Sequence, residues 1–264
     1  MVTVDIWRLL PFESCDATWN MAVDEAVLQA CIAGKVSNTL RFYRWNPSAV
    51  SVGRNGTIDD QVYFQNAKQL GVDVVRRCSG GGTVYHDYDG EVTYSVAAKI
   101  ADLVNNSDIT SVYFKIYEAV TDALRILGVS ADFSQGDAKN CPNLTVGGKK
   151  ISGSSQTLSR GYVLQHGTLL RRVDLYKMFQ LLKLKNVSCT QATQVGYQKI
   201  TSIENELRHN VSSDTVINAL KQGFKAILKI QLQESPLTPF EKELAEKLCK
   251  EKYSTKEWTF KQQK

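Results

Sequence analysis

Arg76 and Arg77 open the stretch Arg76-Arg77-Cys78-Ser79-Gly80-Gly81-Gly82-Thr83-Val84-Tyr85-His86-Asp87, in which three consecutive glycines lead into a β-branched and aromatic run. Glycine lacks a Cβ, so backbone in such a loop can approach a ligand closely. Successive free N–H groups can form a nest for anionic oxygens, and arginine adds bidentate contacts to carboxylate or phosphate. A β-hairpin turn carrying two surface arginines accounts for the same letters. The spacing matches neither the P-loop nor the dinucleotide fingerprint.

Four further stretches carry residues of chemical interest. In Lys149-Lys150-Ile151-Ser152-Gly153 a lysine follows a Gly147-Gly148 turn, where it could hold one fixed positive charge against a carbonyl or phosphate; an exposed hairpin lysine is the plainer account. In Gln165-His166-Gly167 a histidine stands in a strand, a setting that more often makes it structural than a base. Ser51-Val52-Gly53-Arg54-Asn55 is a second glycine turn bearing an arginine. Cys141, near Lys139, could ionise and act as a nucleophile, although a single cysteine in a turn is more often inert.

The elements that must position these residues follow from periodicity and punctuation. Val4 to Leu10 reads as a strand. Asp16 is an N-cap candidate for an amphipathic helix over residues 20–33 that Gly34 ends. Strands are expected at Thr39 to Trp45, Ala49 to Gly53, Val72 to Val75, Thr83 to Tyr85 and Val92 to Ala98, with a helix at Tyr63 to Leu70. Ser107-Asp108 should cap a helix from Ser111 to Leu127. Short strands at Val129 to Phe133 and Leu144 to Val146 flank a turn-rich linker, Ser134 to Asn143. A strand at Tyr162 to Arg171 and a helix at Leu175 to Leu184 come next. After Gly196 the pattern is helical. Strands and helices interleaved this way imply an α+β fold, a mixed and largely antiparallel sheet with packed helices.

The 264 residues suffice for one large domain, and the formal charge of +5 suits an acidic partner without demanding nucleic acid. Six cysteines without a CxxC and three scattered histidines argue against a zinc site. The N-terminus has no signal-peptide pattern and no apolar run spans a bilayer. The expectation is a soluble cytoplasmic protein that engages neither membrane nor nucleic acid, with its thiols reduced.

Taken in order, Arg-Arg-x-Ser-Gly-Gly-Gly-x-Val-x-His-Asp, then Lys-Ile-Ser-Gly-Ser-x-Gln, then His-Gly-Thr-Leu-Leu resembles the lipoate–protein ligase family, whose catalytic domain is shared by lipoyl and biotinyl protein ligases. Asn20-Met21-Ala22-Val23-Asp24-Glu25-Ala26 resembles that family's first helix. Arg41-Phe42-Tyr43-Arg44-Trp45-Asn46-Pro47 resembles its second strand. Lys252 to Trp258 resembles the end of its catalytic domain. The resemblance covers nearly the whole chain and implies a lipoyl/biotinyl ligase-like catalytic domain over residues 1–264, with a helical portion from about 197 and no separate C-terminal accessory domain.

The activity so implied is ATP-dependent. Lipoate and ATP give lipoyl-AMP, and the lipoyl group then passes to a lysine of an acceptor lipoyl domain, on a 2-oxoacid dehydrogenase E2 or a glycine-cleavage H protein. Arg76, Arg77, Ser79, Gly80, Gly81, Gly82, Thr83, Val84 and Tyr85 would bind ATP and lipoyl-AMP together with Lys150, the family's charge-stabilising lysine. Gly81, His86, Gly153 and His166 would meet the (R)-lipoate, again with Lys150. Magnesium would screen the phosphates, its ligands unassigned. Arg54, Asp87 and Asn143 are weaker candidates.

Three departures qualify this expectation. An Asn-Asp pair found in many of these ligases before the glycine turn is replaced by Pro142-Asn143-Leu144. Thr93-Tyr94-Ser95 resembles the related octanoyltransferases at least as well. Those enzymes move octanoyl from acyl carrier protein through a cysteine thioester without ATP, and their cysteine, like Cys141, precedes the lysine, although from farther away. Third, the missing C-terminal domain implies a separate accessory subunit or a reaction that needs none. The order of expectation is therefore ligase first, transferase on Cys141 second, with a biotin ligase and a non-catalytic lipoyl-domain binder behind them.

Overall fold

A computed structural model of the chain describes residues 4–105, 108–136 and 141–260. In chain order the elements are β1 (Asp5–Leu9), β2 (Glu13–Cys15), α1 (Ala17–Ile32), β3 (Thr39–Trp45), β4 (Ala49–Val52), α2 (Ile58–Gln61), α3 (Phe64–Gln69), β5 (Asp73–Arg76), β6 (Val84–His86), β7 (Glu91–Lys99), α4 (Ile109–Ile126), β8 (Asp132–Ser134), β9 (Asn143–Val146), β10 (Lys149–Ser159), β11 (Tyr162–Leu170), α5 (Leu175–Leu181), α6 (Cys189–Lys199), α7 (Ile203–Leu207), α8 (Ser213–Leu228), β12 (Ile230–Glu234), α9 (Pro239–Leu248) and α10 (Lys256–Thr259).

Among the described residues nine strands form a large sheet in the order β12-β1-β3-β7-β11-β10-β9-β8, with β2 also paired to β3. The central pairs β3/β7, β7/β11 and β11/β10 are antiparallel, while β1 runs parallel to both β12 and β3. A second sheet has the order β5-β4-β6. This is the mixed, largely antiparallel α+β architecture that the residue pattern implies.

The strand period of two distributes the core. Leu40 and Phe42 of β3 point to a cluster with Tyr94, Val96, Ile116, Val120, Leu220 and Phe224, which α4 and α8 cover. Tyr43 and Trp45 point to the other face, where Met21, Ala22 and Ala26 of α1 pack. Asp16 caps α1, accepting from the N–H groups of Thr18 at 2.9 Å and Trp19 at 3.0 Å. The helix is not amphipathic as expected. Asn20 and Asp24 are as buried as its small apolar residues, because they face the sheet and bond there to Arg41, Tyr43 and His166; α9 also packs on the helix.

Other differences concern elements of weak local signal. Asp108 caps α4, accepting from Ser111 N–H at 2.9 Å; Ser107 lies outside the described residues, as do residues 137–140 of the expected linker. The portion after residue 197 is not purely helical. Ile230 to Glu234 pairs in parallel with Asp5 to Leu9 and closes the edge of the large sheet. The glycine loop is not a hairpin turn either, since β5 and β6 are separated by β4, and the loop passes over the end of that strand. Among the described residues no helix is long and apolar enough to cross a membrane.

Candidate active site

The glycine loop is held by the second of its two arginines. Arg77 is buried. Its Nη2 donates to the carbonyls of Gly80 and Gly82, each at 2.6 Å, and its Nη1 to Ser51 O at 3.0 Å and Ser51 Oγ at 3.1 Å. Ser155 Oγ donates to Gly80 O at 2.7 Å, tying the loop to β10 of the large sheet. Gly81 has a φ of +82°, the left-handed region open to glycine. The Gly53 turn packs against it so closely that a Cβ on Gly53 would stand 2.0 Å from Gly81 O.

Lys150 enters from the large sheet. Gly147 and Gly148, at φ +54° and +78°, make the turn from β9 to β10. The β9/β10 register then shifts between Lys150 and Ser152, a bulge that re-aims a side chain. The lysine tail lies across Gly153, where a Cβ would be 2.6 Å from both its Cε and its Nζ. Burial pushes the Lys150 ammonium below its ordinary value; Cys141 works against that shift and Arg77 with it. Burial likewise pushes the Arg77 guanidinium down to about 10. Cys141 sits beside the loop, its Sγ 3.2 Å from where a Gly81 Cβ would be, and Asn143 Nδ2 donates to its carbonyl at 2.9 Å.

These groups line a cavity of about 360 Å³, within the range of roughly 300–1,000 Å³ typical of ligand pockets. Of the residues singled out from sequence, the cavity brings together Arg77, Gly81, Gly82, Thr83, Val84, Tyr85, His86, Cys141, Asn143, Lys150, Gly153 and His166. Its apolar wall comes from Trp45 of β3 and from Met178, Phe179 and Leu182 in and beside α5. Nothing local in the sequence marks these four, because an active-site wall and an ordinary core face have the same letters.

Two histidine relays brace the cavity from below. His166 Nδ1 contacts Asp24 Oδ2 at 2.9 Å and its Nε2 contacts Ser79 Oγ at 2.6 Å. Burial works to raise the Asp24 carboxyl, but the His166 hydrogen bond and the Arg41 charge outweigh it and hold the group below the usual range. The ionised Asp24 accepts from Nδ1–H, so in the neutral ring Nε2 accepts from the Ser79 hydroxyl. His86 Nδ1 contacts Glu91 at 2.7 Å and its Nε2 contacts Ser51 Oγ at 2.8 Å. With the Glu91 carboxylate accepting from Nδ1–H, Nε2 of the neutral ring accepts from the Ser51 hydroxyl. Asp24, Arg41 and Glu91 were not singled out from sequence as site residues; a buried charge at each is the signal, and burial is not readable residue by residue.

Five expected site residues lie elsewhere. Arg76 is turned away from the cavity, and its guanidinium donates to the carbonyls of Gly53, Arg54, Gly56, Trp258 and Thr259. Successive residues of a strand face opposite ways, so Arg76 and Arg77 cannot serve one ligand together. Ser79 is fully buried behind His166, and Gly80 contributes its carbonyl to the loop's bracing. Arg54 is exposed. Asp87 accepts from Tyr85 Oη at 2.7 Å and faces Lys177 at 3.6 Å. Among the described residues there is no group of three or more His, Cys, Asp or Glu able to hold a metal ion. Asp87 is engaged outside the cavity, whereas Asn143 lines it with its Nδ2 bound to Cys141 O.

The profile of the lipoyl protein ligase A/B catalytic domain matches residues 16–225. The chain belongs to this family. Within it the chain is similar to the octanoyltransferase LipM of Anoxybacillus flavithermus, 32% identical over 276 residues that cover 97% of this chain and 99% of the relative. Among solved structures it is similar to the bi-partite lipoate protein ligase of Thermoplasma acidophilum, with a TM-score of 0.84 and 30% identity over 98% of each chain. A lipoate-protein ligase A bound with ATP superposes with a TM-score of 0.83 and 31% identity, covering 96% of this chain and 98% of the other.

Proposed function

We propose that this family member is an octanoyltransferase that carries its acyl group on Cys141. It would move an octanoyl group from the thioester of an acyl carrier protein to the ε-amine of a lysine on an acceptor lipoyl domain. The observation that carries the reading is that Cys141 shares a cavity wall with Lys150 and the glycine loop. The naming of relatives at 30–34% identity as octanoyltransferases supports it. Placement and relatives together reverse the order expected from the Cys-to-Lys spacing, which put the ATP-dependent ligase first.

The residues fit such a reaction without a redox or nucleotide step. Lysine held below its ordinary value is neutral more of the time and can accept the Cys141 proton. The thiolate attacks the donor carbonyl, a new C–S bond forms, and the donor C–S bond breaks; the departing thiolate takes the proton from Lys150. The acceptor amine then attacks the Cys141 thioester, a C–N bond forms, and the Cys141 C–S bond breaks with the amine proton returning to sulfur. In both steps negative charge grows on the acyl oxygen. In the first step Lys150, carrying the Cys141 proton, and in both steps the loop backbone are the groups beside it able to offset that charge. The apolar wall of Trp45, Met178 and Phe179 suits the hydrocarbon chain, and the +5 charge suits acidic carrier and acceptor domains.

The test is intact mass of an apo lipoyl domain after incubation with the protein and octanoyl-acyl carrier protein, without ATP. An octanoyl shift, lost in Cys141→Ala, is expected together with an octanoyl adduct on the enzyme itself. A second reading, the ATP-dependent lipoate ligase, is favoured by the similarity to ligases of known structure, one bound with ATP. Arg77, the Gly80–Gly82 backbone and Lys150 would then meet the phosphate and acyl groups. A lipoyl shift that requires lipoate with ATP, or preformed lipoyl-AMP, and that survives Cys141→Ala would select it.

A further inference from the structure

Arg76 is the unabsorbed member of the arginine pair, and its surroundings are unusual for so polar a group. It is 1% exposed. Among the described residues it donates to backbone carbonyls on two sides. On one side Nη1 donates to Gly53 O and Arg54 O at 3.1 Å and to Gly56 O at 2.6 Å. On the other, Nε donates to Trp258 O at 2.9 Å and Nη2 to Thr259 O at 3.0 Å. Trp258 answers with its indole, donating Nε1–H to Arg76 O at 2.8 Å. Phe260 packs edge-on against Phe64 at 5.2 Å, and Trp258 itself lies under Lys252 and against Tyr253.

The turn that Arg76 grips on its first side is the one that supports the glycine loop. Arg54 N–H donates to Ser79 O at 2.8 Å. Gly53 lies against Gly80 and Gly81 so closely that no Cβ fits between them. A continuous set of backbone contacts therefore runs from α10, through the Arg76 guanidinium, to the Gly53–Gly56 turn and on to the loop beside Cys141. Five carbonyls collected on one side chain leave it only one geometry, since the guanidinium fork is planar and rigid.

We infer that the C-terminal helix α10 and Arg76 act as a strut that sets the position of the glycine loop, making Arg76 a positioning residue for acyl transfer. The inference rests on the reading of the cavity as the acyl-transfer site, but its mechanical half stands apart from that reading. Lysine at position 76 keeps the charge and loses the fork, so it cannot reach both sides. A loop misplaced by ~1 Å lowers turnover roughly 100-fold, whereas the donor's acyl chain still finds its wall on Trp45 and α5, so the Michaelis constant for the donor stays within about threefold.

Three proteins test this: the full-length chain, Arg76→Lys, and a chain stopped after Thr255. Each is assayed for kcat and KM in octanoyl transfer from octanoyl-acyl carrier protein, for amide hydrogen exchange by mass spectrometry, and for alkylation of Cys141 by iodoacetamide. The expected result is a roughly 100-fold fall in kcat for both variants and faster exchange confined to residues 53–56 and 79–82. Exchange in β7 and β11 and the alkylation rate should not change. Wild-type kcat in the shortened chain, or unchanged exchange in both loops, overturns the inference. Should Arg76→Lys loosen β7 and β11 as well, Trp258→Phe decides, because it removes one hydrogen bond and little volume. Faster exchange at residues 79–82 alone supports the strut, and none overturns it. Transfer that persists in Cys141→Ala would sink the transferase reading while leaving the exchange result to judge Arg76.

Discussion

Gly153→Ala should separate activity from stability at the lysine. A Cβ built on Gly153 stands 2.6 Å from Lys150 Cε and Nζ, where relaxed contacts between such atoms are about 3.5–4.0 Å. The tail must therefore withdraw by about 1 Å. It can do so cheaply, because the atoms in the way are the end of a flexible chain rather than backbone. Alanine also tolerates a strand at least as well as glycine. Stability should accordingly stay within about 1 kcal/mol of wild type, while a displacement of ~1 Å at a group facing the reacting carbonyl lowers turnover roughly 100-fold. The assay is single-turnover octanoyl transfer to a lipoyl domain followed by mass, beside a urea unfolding curve. Full activity in Gly153→Ala would refute the claim that Lys150 works from the position across Gly153. A large loss of stability would refute the claim that only the lysine tail has to move.

Gly53→Ala should behave differently, since its Cβ would stand 2.0 Å from the backbone oxygen of Gly81; overpacking of about 1–3 kcal/mol and loss of transfer are both expected, checked by the same two assays. Asp24→Asn leaves Arg41 buried without its ion-pair partner at 2.9 Å and should cost about 3–5 kcal/mol in urea unfolding. Lys150→Met should abolish transfer yet raise the melting temperature at pH 7. Burial holds the folded Lys150 below the 10.5 of the free group, so between those two values the unfolded chain binds the extra proton and wild-type stability rises with pH. The advantage of the methionine variant should therefore shrink as pH climbs toward that value. An advantage that is constant from pH 7 to 10 would contradict the burial argument.

What the sequence discloses and what it withholds divide along physical lines. The Asp16 cap, the aromatic strand Thr39 to Trp45 and the Gly147-Gly148 turn are written in adjacent residues, and each forms where the local chemistry directs. Ile230 to Glu234 is a strand only because β1 offers it an edge, a partner more than 200 positions away. Cys141, Lys150 and the glycine loop are each visible as motifs, but their meeting in one cavity depends on how the two sheets face each other. Alternation along a strand separates Arg76 from Arg77, since two adjacent residues face opposite sides, and only Arg77 reaches the cavity. The wall of Met178 and Phe179 had no such clue, since a helix face turned toward a substrate and one turned toward a core are equally apolar.

The loop with Arg77 belongs to the small sheet and Lys150 to the large one, and the two are fastened by contacts such as Ser155 to Gly80, Ser79 to His166 and the stacking of Trp45 on His86 at 4.1 Å. The cavity is thus a seam rather than a hole in one body. Under the proposed function an acyl chain lying in the seam would touch both sides and become one more fastener, so that occupancy and alignment reinforce each other. Such an arrangement also divides the labour of variation. Side chains on α5 can be exchanged to suit a longer or shorter chain while the lysine, on the opposite side of the seam, keeps its place.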